Sequence, residues 1–164
     1  MELALFNTIE EILPVLDAGV SISFRSMILL AVIGRVDYRS KRRYRIYVRN
    51  VIFEKLENKP RPTTELEEQK ICVIHELIHA FNHLKHIRVS TNKKAQSIME
   101  EAIDKHAYTF LDNEKFFERL MVEMLFRENC RIIFHKSIWW GGRAECPFYY
   151  YYLDTLERLK KRLI

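Results

Sequence analysis

Apolar residues recur at intervals of three or four in several stretches of this chain, a spacing that predicts amphipathic helices. Two of these stretches also begin with a capping-box pattern, formed by Thr8 with Glu11 and by Thr64 with Glu67. In that pattern, side chains at the start of a helix bond the free backbone N–H groups nearby. The predicted helices begin near Thr8, Thr64, residue 93, Asn113 and residue 149, and the first three end near Gly19, residues 86–88 and residue 111.

Between the first two predicted helices, the pattern changes to the period of two that is typical of strands. Tyr44, Ile46 and Val48 alternate there with arginines and a tyrosine, and the neighbouring segments are rich in Ile and Val. Residues 25–33 also fit a helix, and residues 131–140 fit either a strand or a helix, because short apolar runs do not distinguish the two. We expect an α+β fold in which the strands form a small twisted antiparallel sheet. The predicted strands are about 20–24, 28–38 and 43–53.

Length and composition indicate one globular domain. The 164 residues are enough for a hydrophobic core, and 48% hydrophobic with 30% charged residues is ordinary for a folded protein. With 4 Gly and 4 Pro, the chain shows neither a repeat nor a linker. We therefore expect residues 1–164 to form a single domain. Its core of about 1–111 should carry the candidate site described below, and about 112–164 should form a mainly helical C-terminal subdomain.

Cysteine content and charge indicate the compartment and the partners. Three cysteines without C-x-x-C spacing predict free thiols in a reducing compartment. The start of the chain lacks the basic region of an export signal, and the longest apolar run is too short to span a bilayer. We therefore expect a cytoplasmic protein with no membrane contact. The net charge of +5 is concentrated in the block from Arg39 to Arg45 and near the C-terminus, and the first block offers a surface for nucleic acid.

The clearest candidate chemistry is the H-E-x-x-H sequence from His75 to His79. Residues four apart lie one turn above each other on a helix, so both imidazoles can reach one metal ion. Glu76 lies at the edge of the same face, where its carboxylate can take a proton from a water on that ion. Zinc accepts neutral imidazole nitrogens readily, and a catalytic zinc site has three protein ligands and an open position. A chance match is the alternative, but polar groups in so apolar a helix favour a metal site.

The third ligand has to come from another part of the chain. Continuation of the motif to H-E-x-x-H-x-x-G-x-x-H fails, because Asn82 and Lys85 occupy the positions of the glycine and the histidine. A carboxylate on the next predicted helix is the other possibility. Glu100 and Asp104 are four residues apart and share one helix face. One carboxylate can bind the metal while the next accepts the free N–H of a ligand histidine.

H-E-x-x-H followed about two dozen residues later by E-x-x-x-D resembles the gluzincin branch of zinc metallopeptidases, in which a glutamate helix supplies the third ligand. The run from Glu100 to Ala107 is similar to the E-x-E-A-(N/D)-x-F-A segment of the ImmA/IrrE family, and the archaeal minigluzincins share this skeleton. The similarity covers residues 64–111. Ala102 and His106 depart from it, since that family usually has glutamate and phenylalanine at these two positions.

The resemblance implies a zincin-like fold and a zinc-dependent peptidase. Its expected substrate is a peptide or protein, and a single regulatory partner is one such option. It places Zn²⁺ on His75, His79 and Glu100 and makes Glu76 the general base. It also implies that Asp104 supports a ligand histidine, and it leaves Glu101 as the alternative third ligand.

Two further elements of a peptidase site are expected. In this fold type an edge strand lines the cleft and pairs with the substrate, and residues 43–50 are the candidate strand. The tetrahedral oxyanion also needs a hydrogen-bond donor. The candidate donors are His83, His106, Tyr108, His135, Arg143 and one of the residues from Tyr149 to Tyr152.

Three other functions stay open on the sequence alone. The chain could be a regulatory zinc protein with little general proteolysis. It could be a latent enzyme whose C-terminal segment covers the metal. It could also be a nucleic-acid-binding protein that uses the block from Arg39 to Arg45, with the histidine motif incidental.

Overall fold

The computed structural model describes residues 3–25, 34–37, 43–50, 61–88, 90–135 and 146–162. Within this part of the chain, helices and a sheet share one hydrophobic core, so the α+β class is confirmed. The elements in chain order are α1 (Ile9–Ala18), β1 (Val20–Arg25), β2 (Gly34–Asp37), β3 (Tyr44–Arg49), α2 (Glu65–Leu84), α3 (Lys93–Tyr108), α4 (Glu114–Leu125), β4 (Arg131–Phe134) and α5 (Pro147–Arg162).

The predicted antiparallel sheet is wrong, because the sheet is mixed. Its strand order is β2-β3-β1-β4, and the central strand β1 runs parallel to both β3 and β4. Only β2 and β3 are antiparallel. The sequence pattern could not reveal this, since alternating burial arises in either orientation. The direction of a neighbouring strand depends instead on its connection, and β4 reaches β1 only after three helices.

Strand β3 shows the alternation that its sequence predicts, but it does not lie at an edge. Tyr44, Ile46 and Val48 are buried, whereas Arg45 is exposed. The strand pairs with β1 along its whole length and with β2 from Arg45 to Val48. The expectation that residues 43–50 form the substrate-binding edge is therefore wrong. On this side of the described sheet, the outer strand is β2.

Capping explains where the helices begin. At the start of α2, Glu67 N–H donates to Thr64 Oγ1 at 3.2 Å, and Thr64 N–H donates to Glu67 Oε1 at 3.0 Å, as the capping box predicts. Asn113 caps α4 by accepting from Phe116 N–H at 3.2 Å, also as predicted. The box predicted at α1 is absent, because Glu11 accepts instead from the Asn7 N–H at 3.1 Å.

The ends of α1 and α2 use positive backbone angles. Gly19 ends α1 with φ of 108°, and an added Cβ would lie 3.2 Å from the Asn129 carbonyl oxygen. The end of α2 has His86 with φ of 58°. There His86 N–H bonds the His83 carbonyl and Ile87 N–H bonds the Asn82 carbonyl, both at 3.0 Å. This is the Schellman arrangement, with histidine where glycine is usual.

Packing holds α2 at the centre of the molecule. The helix lies against β2 and β3 on one side and against α1, α3 and α5 on others. Its apolar residues, such as Val73, Ile74 and Leu77, are fully buried. Among the polar side chains of α2, those of His75 and His79 meet carboxylates of α3.

Several predictions fall wholly or partly outside the described residues. These include the first part of the predicted strand 28–38, the end of the strand 43–53, Arg143 and the basic block between Arg39 and Arg42. The ambiguous segment 131–140 is a strand from Arg131 to Phe134, and residues 136–140 are also outside. None of the helices in the described part combines the length and apolar content that crossing a bilayer would require.

Candidate metal centre

The two motif histidines project from the same face of α2. The ring centroids of His75 and His79 are 4.9 Å apart, and their Nε2 atoms are separated by 3.1 Å. Their side chains are mostly buried, with 14% and 16% of their surface exposed. The four-residue helical spacing thus brings one nitrogen of each ring to a common point, as the sequence predicted.

Glu100 on α3 meets this pair with its carboxylate. Its Oε2 lies 2.7 Å from His75 Nε2, and its Oε1 lies 3.0 Å from His79 Nε2. The carboxylate is 43% exposed, so the cluster is open to solvent on the α3 side. Glu101, the alternative ligand, is 70% exposed and pairs instead with Lys105 at 3.5 Å. The geometry therefore brings together Glu100, and not Glu101, with the two histidines.

Asp104 holds the His75 ring from its other nitrogen. The Nδ1–H of His75 donates to Asp104 Oδ1 at 2.7 Å. A proton fixed on Nδ1 leaves Nε2 as the nitrogen with a lone pair for a metal. One helical turn separates Glu100 from Asp104, so α3 presents one carboxylate to each nitrogen of the same imidazole.

The charges of the cluster depend strongly on one another. Burial alone would lower the pKa of His75, but hydrogen bonds to Asp104 and Glu100 raise it to about 10. Partial burial would raise the pKa of Glu100, yet its bonds to His75 and His79 hold that pKa well below its usual range. The protein thus arranges carboxylates so that they stabilise positive charge at this point, which is the requirement for binding a cation.

The donor atoms of His75, His79 and Glu100 suit a small divalent ion. One atom from each residue lies within 4.8 Å of the others. Tetrahedral zinc with ligand distances of about 2.0–2.2 Å needs ligand–ligand separations of roughly 3.3 Å. The separations of 2.7, 3.0 and 3.1 Å are slightly shorter, so a small outward movement of the side chains makes room for the ion. Two imidazoles and one carboxylate also match a known donor set of catalytic zinc sites.

Glu76 lies beside the cluster without belonging to it. The residue is 6% exposed, and no described residue donates a hydrogen bond to its carboxylate. Burial raises the pKa of Glu76, and the nearby charges of His75 and His79 act in the opposite direction. A buried carboxylate with a raised pKa next to a cation site has the properties of a general base.

Three of the candidate oxyanion donors have other polar contacts. His106 Nε2–H donates to the Phe6 carbonyl at 2.6 Å, and Tyr151 O–H donates to Glu114 Oε1 at 2.6 Å. His83 lies one turn beyond His79, and its Nδ1 is 3.0 Å from the hydroxyl of Tyr44 on β3. Tyr44 carries no sequence signal for such a contact, because its place in the alternating strand predicts burial alone.

Comparison of the chain with protein-family models, with curated proteins and with solved structures gave no significant match. The resemblance to gluzincins therefore stays a prediction. Two histidines of one helix and a glutamate of the next form a candidate metal site, and the buried Glu76 lies beside it.

Proposed function

We propose that this protein is a zinc-dependent peptidase in which His75, His79 and Glu100 hold the metal. The observation that supports this most directly is the convergence of these three donors next to the buried Glu76. A structural zinc site closes its coordination with four protein ligands. Here three described donors converge, and one of them is partly exposed, which favours a site that keeps a position for water and substrate.

Bound zinc lowers the pKa of water and polarises a carbonyl oxygen, and this chemistry suits hydrolysis of an amide. The residues of the chain would supply the rest. Glu76 would accept a proton from the attacking water at its carboxylate and return it to the leaving amine. Asp104 would keep the proton on His75 Nδ1 and so hold that ring in its ligand orientation. Mutation of a general base of this kind typically lowers a rate by about 10²–10⁴.

Metal content and hydrolysis test this proposal together. Purified wild-type protein should contain one zinc per chain by mass spectrometry, and His79→Ala and Glu100→Ala should lose it. Glu76→Gln should retain the zinc but cleave a library of quenched fluorescent peptides at least about 10²-fold more slowly than the wild type.

Glu101→Gln is the matched control, because it changes the neighbouring carboxylate that lies outside the cluster. It should keep both zinc and activity. If the wild type binds no zinc after dialysis against it, the metal site is refuted. If Glu76→Gln cleaves as fast as the wild type, zinc binding stands but the peptidase mechanism does not.

A further inference from the structure

We infer that the segment of residues 3–7, here called the strap, positions α2 and α3 relative to each other through Asn82 and His106, and so increases the metal affinity of the cluster. This inference depends on the metal-binding part of the proposed function. It assigns a positioning role to two polar residues that touch neither the metal ligands nor Glu76.

Asn82 ties the strap to α2. Its side-chain amide is 6% exposed, and it pairs with both backbone groups of Ala4. The Ala4 N–H donates to Asn82 Oδ1 at 2.8 Å, and Asn82 Nδ2 donates to the Ala4 carbonyl at 2.8 Å. The same Nδ2 also donates to the Ile78 carbonyl at 2.8 Å, which fixes the amide orientation. Asn82 therefore binds the strap much as a neighbouring strand would.

His106 ties the strap to α3. Its Nε2–H donates to the carbonyl of Phe6 at 2.6 Å, and its ring packs edge-on against Phe110 with centroids 5.5 Å apart. Phenylalanine could keep the ring packing, but it has no donor for the carbonyl. The hydrogen bond is thus the specific contribution of histidine at this position.

Phe6 anchors the strap between these two bonds. Its side chain is completely buried and packs against three other rings. The centroid distances are 5.7 Å to Phe81 of α2, 5.5 Å to Phe110 after α3 and 5.9 Å to Phe116 of α4. The strap therefore connects the helix that carries the histidines with the helix that carries Glu100.

The position of these bonds along the helices couples them to the cluster. Asn82 lies three residues after His79, and His106 lies two residues after Asp104. Because the metal donors come from both helices, the affinity depends on how well their separation is fixed before the ion binds. Thermodynamic reciprocity then requires that bound metal also stabilises the docked strap.

His106→Phe is the sharpest variant, since it removes the donor and keeps an aromatic ring. We expect its zinc dissociation constant, measured by competition with a chromophoric chelator, to be about fivefold higher than that of the wild type, as the usual net contribution of one hydrogen bond implies. Thr155→Val is the control. It also removes a buried donor, which bonds the Tyr151 carbonyl at 2.8 Å in α5, and it should leave the zinc constant unchanged.

Amide hydrogen exchange provides a second readout. If Asn82 and His106 only stabilised the fold, zinc would not change the exchange rate of the strap. Zinc should slow exchange of the Ala4 N–H by about the same fivefold factor in the wild type, because the coupling is reciprocal. In His79→Ala, which lacks a metal ligand, zinc should have no effect on that amide.

The outcomes separate the two proposals. A wild type that binds no zinc overturns the proposed function and this inference together. Normal zinc binding with an unchanged constant in His106→Phe, or with no zinc effect on Ala4 exchange, overturns the positioning role alone. An equal loss of affinity in Thr155→Val would show that general destabilisation, and not the strap, weakens the site.

Discussion

Helix α2 buries charged or ionisable groups in two regions, and the two regions satisfy them very differently. Lys70 has 8% of its side chain exposed, and its ammonium lies 3.4 Å from Glu114 Oε2 and 4.1 Å from the centre of the Tyr151 ring. Tyr151 in turn donates to the other oxygen of Glu114. This network, here called the Lys70 network, joins α2 to α4 and α5. Among its members, every charge has a partner of opposite sign or an aromatic face.

The metal cluster lies little more than one turn further along the same helix, and it differs in one respect. Its two imidazoles pair with Glu100 and Asp104, but the buried Glu76 beside them has no hydrogen-bond partner among the described residues. Perturbed ionisable groups of this kind cluster at functional sites. The contrast fits our proposal that the cluster binds a metal, whereas the Lys70 network stabilises the fold.

Zinc should produce the largest effect and should act on one region only. At a free zinc concentration about 1,000 times the dissociation constant, binding should stabilise the folded wild type by about 4 kcal/mol. His79→Ala should abolish this increase, whereas Lys70→Met should keep it in full. Urea unfolding with zinc and with a chelator measures both. A zinc effect that disappears in Lys70→Met would break the proposed separation of the two regions.

Replacement of Lys70 should be the most destabilising change in the zinc-free protein. Lys70→Met keeps the apolar stem but leaves Tyr151 without its cation and Glu114 with only the more distant Arg158, at 3.6 Å. We therefore expect a loss of about 2 kcal/mol in the free energy of unfolding. The control is Lys105→Met, which removes an exposed lysine paired with Glu101. It should change stability by less than about 0.5 kcal/mol. Equal effects of the two variants would show that the Lys70 network contributes nothing specific.

The sequence revealed the cluster better than the sheet. The histidine pair and the pair Glu100 with Asp104 each follow from a local rule, since residues four apart on a helix share a face, and the structure brings the two pairs together. That Glu100 joins the histidines was implied by the resemblance and not by this rule. The capping boxes also follow from local chemistry, and the one at Thr64 forms, whereas the one at Thr8 does not.

Features that depend on distant parts of the chain could not be predicted in this way. The alternation in β3 indicates a strand with one buried face, but not that β1 will lie parallel beside it. Likewise, nothing in the sequence around Asn82, His106 or Lys70 indicates the strap or the Lys70 network. Their partners are more than 40 residues away, and only the completed packing brings them together.

Replacement of Glu76 should raise the free energy of unfolding, whereas replacement of Lys70 should lower it, and the change at Glu76 should be smaller. Burial raises its pKa in the folded state, so the charged form destabilises the fold at pH values above the ordinary value of 4.5, where the unfolded chain is already ionised. Glu76→Gln should therefore stabilise the zinc-free protein at pH 7 by about 1 kcal/mol, the usual scale for replacing a residue kept for function.

The gain at Glu76 should shrink as the pH falls from the raised pKa of the folded state towards 4.5. It should be absent below 4.5, because the wild-type carboxyl is then protonated in both states. Urea unfolding at several pH values measures this trend. Glu101→Gln is the control and should show little change, since that carboxylate is exposed. A loss of stability in Glu76→Gln at pH 7 would mean that Glu76 supports the fold, as Lys70 does, and would remove the contrast between the two regions.

The smallest effect is expected at His86, which ends the same helix and touches neither region. A φ of 58° destabilises the folded state by about 1–2 kcal/mol for a residue other than glycine. Glycine avoids this strain, but its more flexible unfolded chain lowers the free energy of unfolding by about 0.5–1 kcal/mol. His86→Gly should thus stabilise the protein by about 0.5 kcal/mol, equally with zinc, with chelator and in the Lys70→Met background. Arg88→Gly, two residues on, lacks the positive angle and should not stabilise. A gain at His86 that depends on zinc would show that the end of α2 is coupled to the cluster, and the simple comparison of two regions would then have to include the turn between α2 and α3.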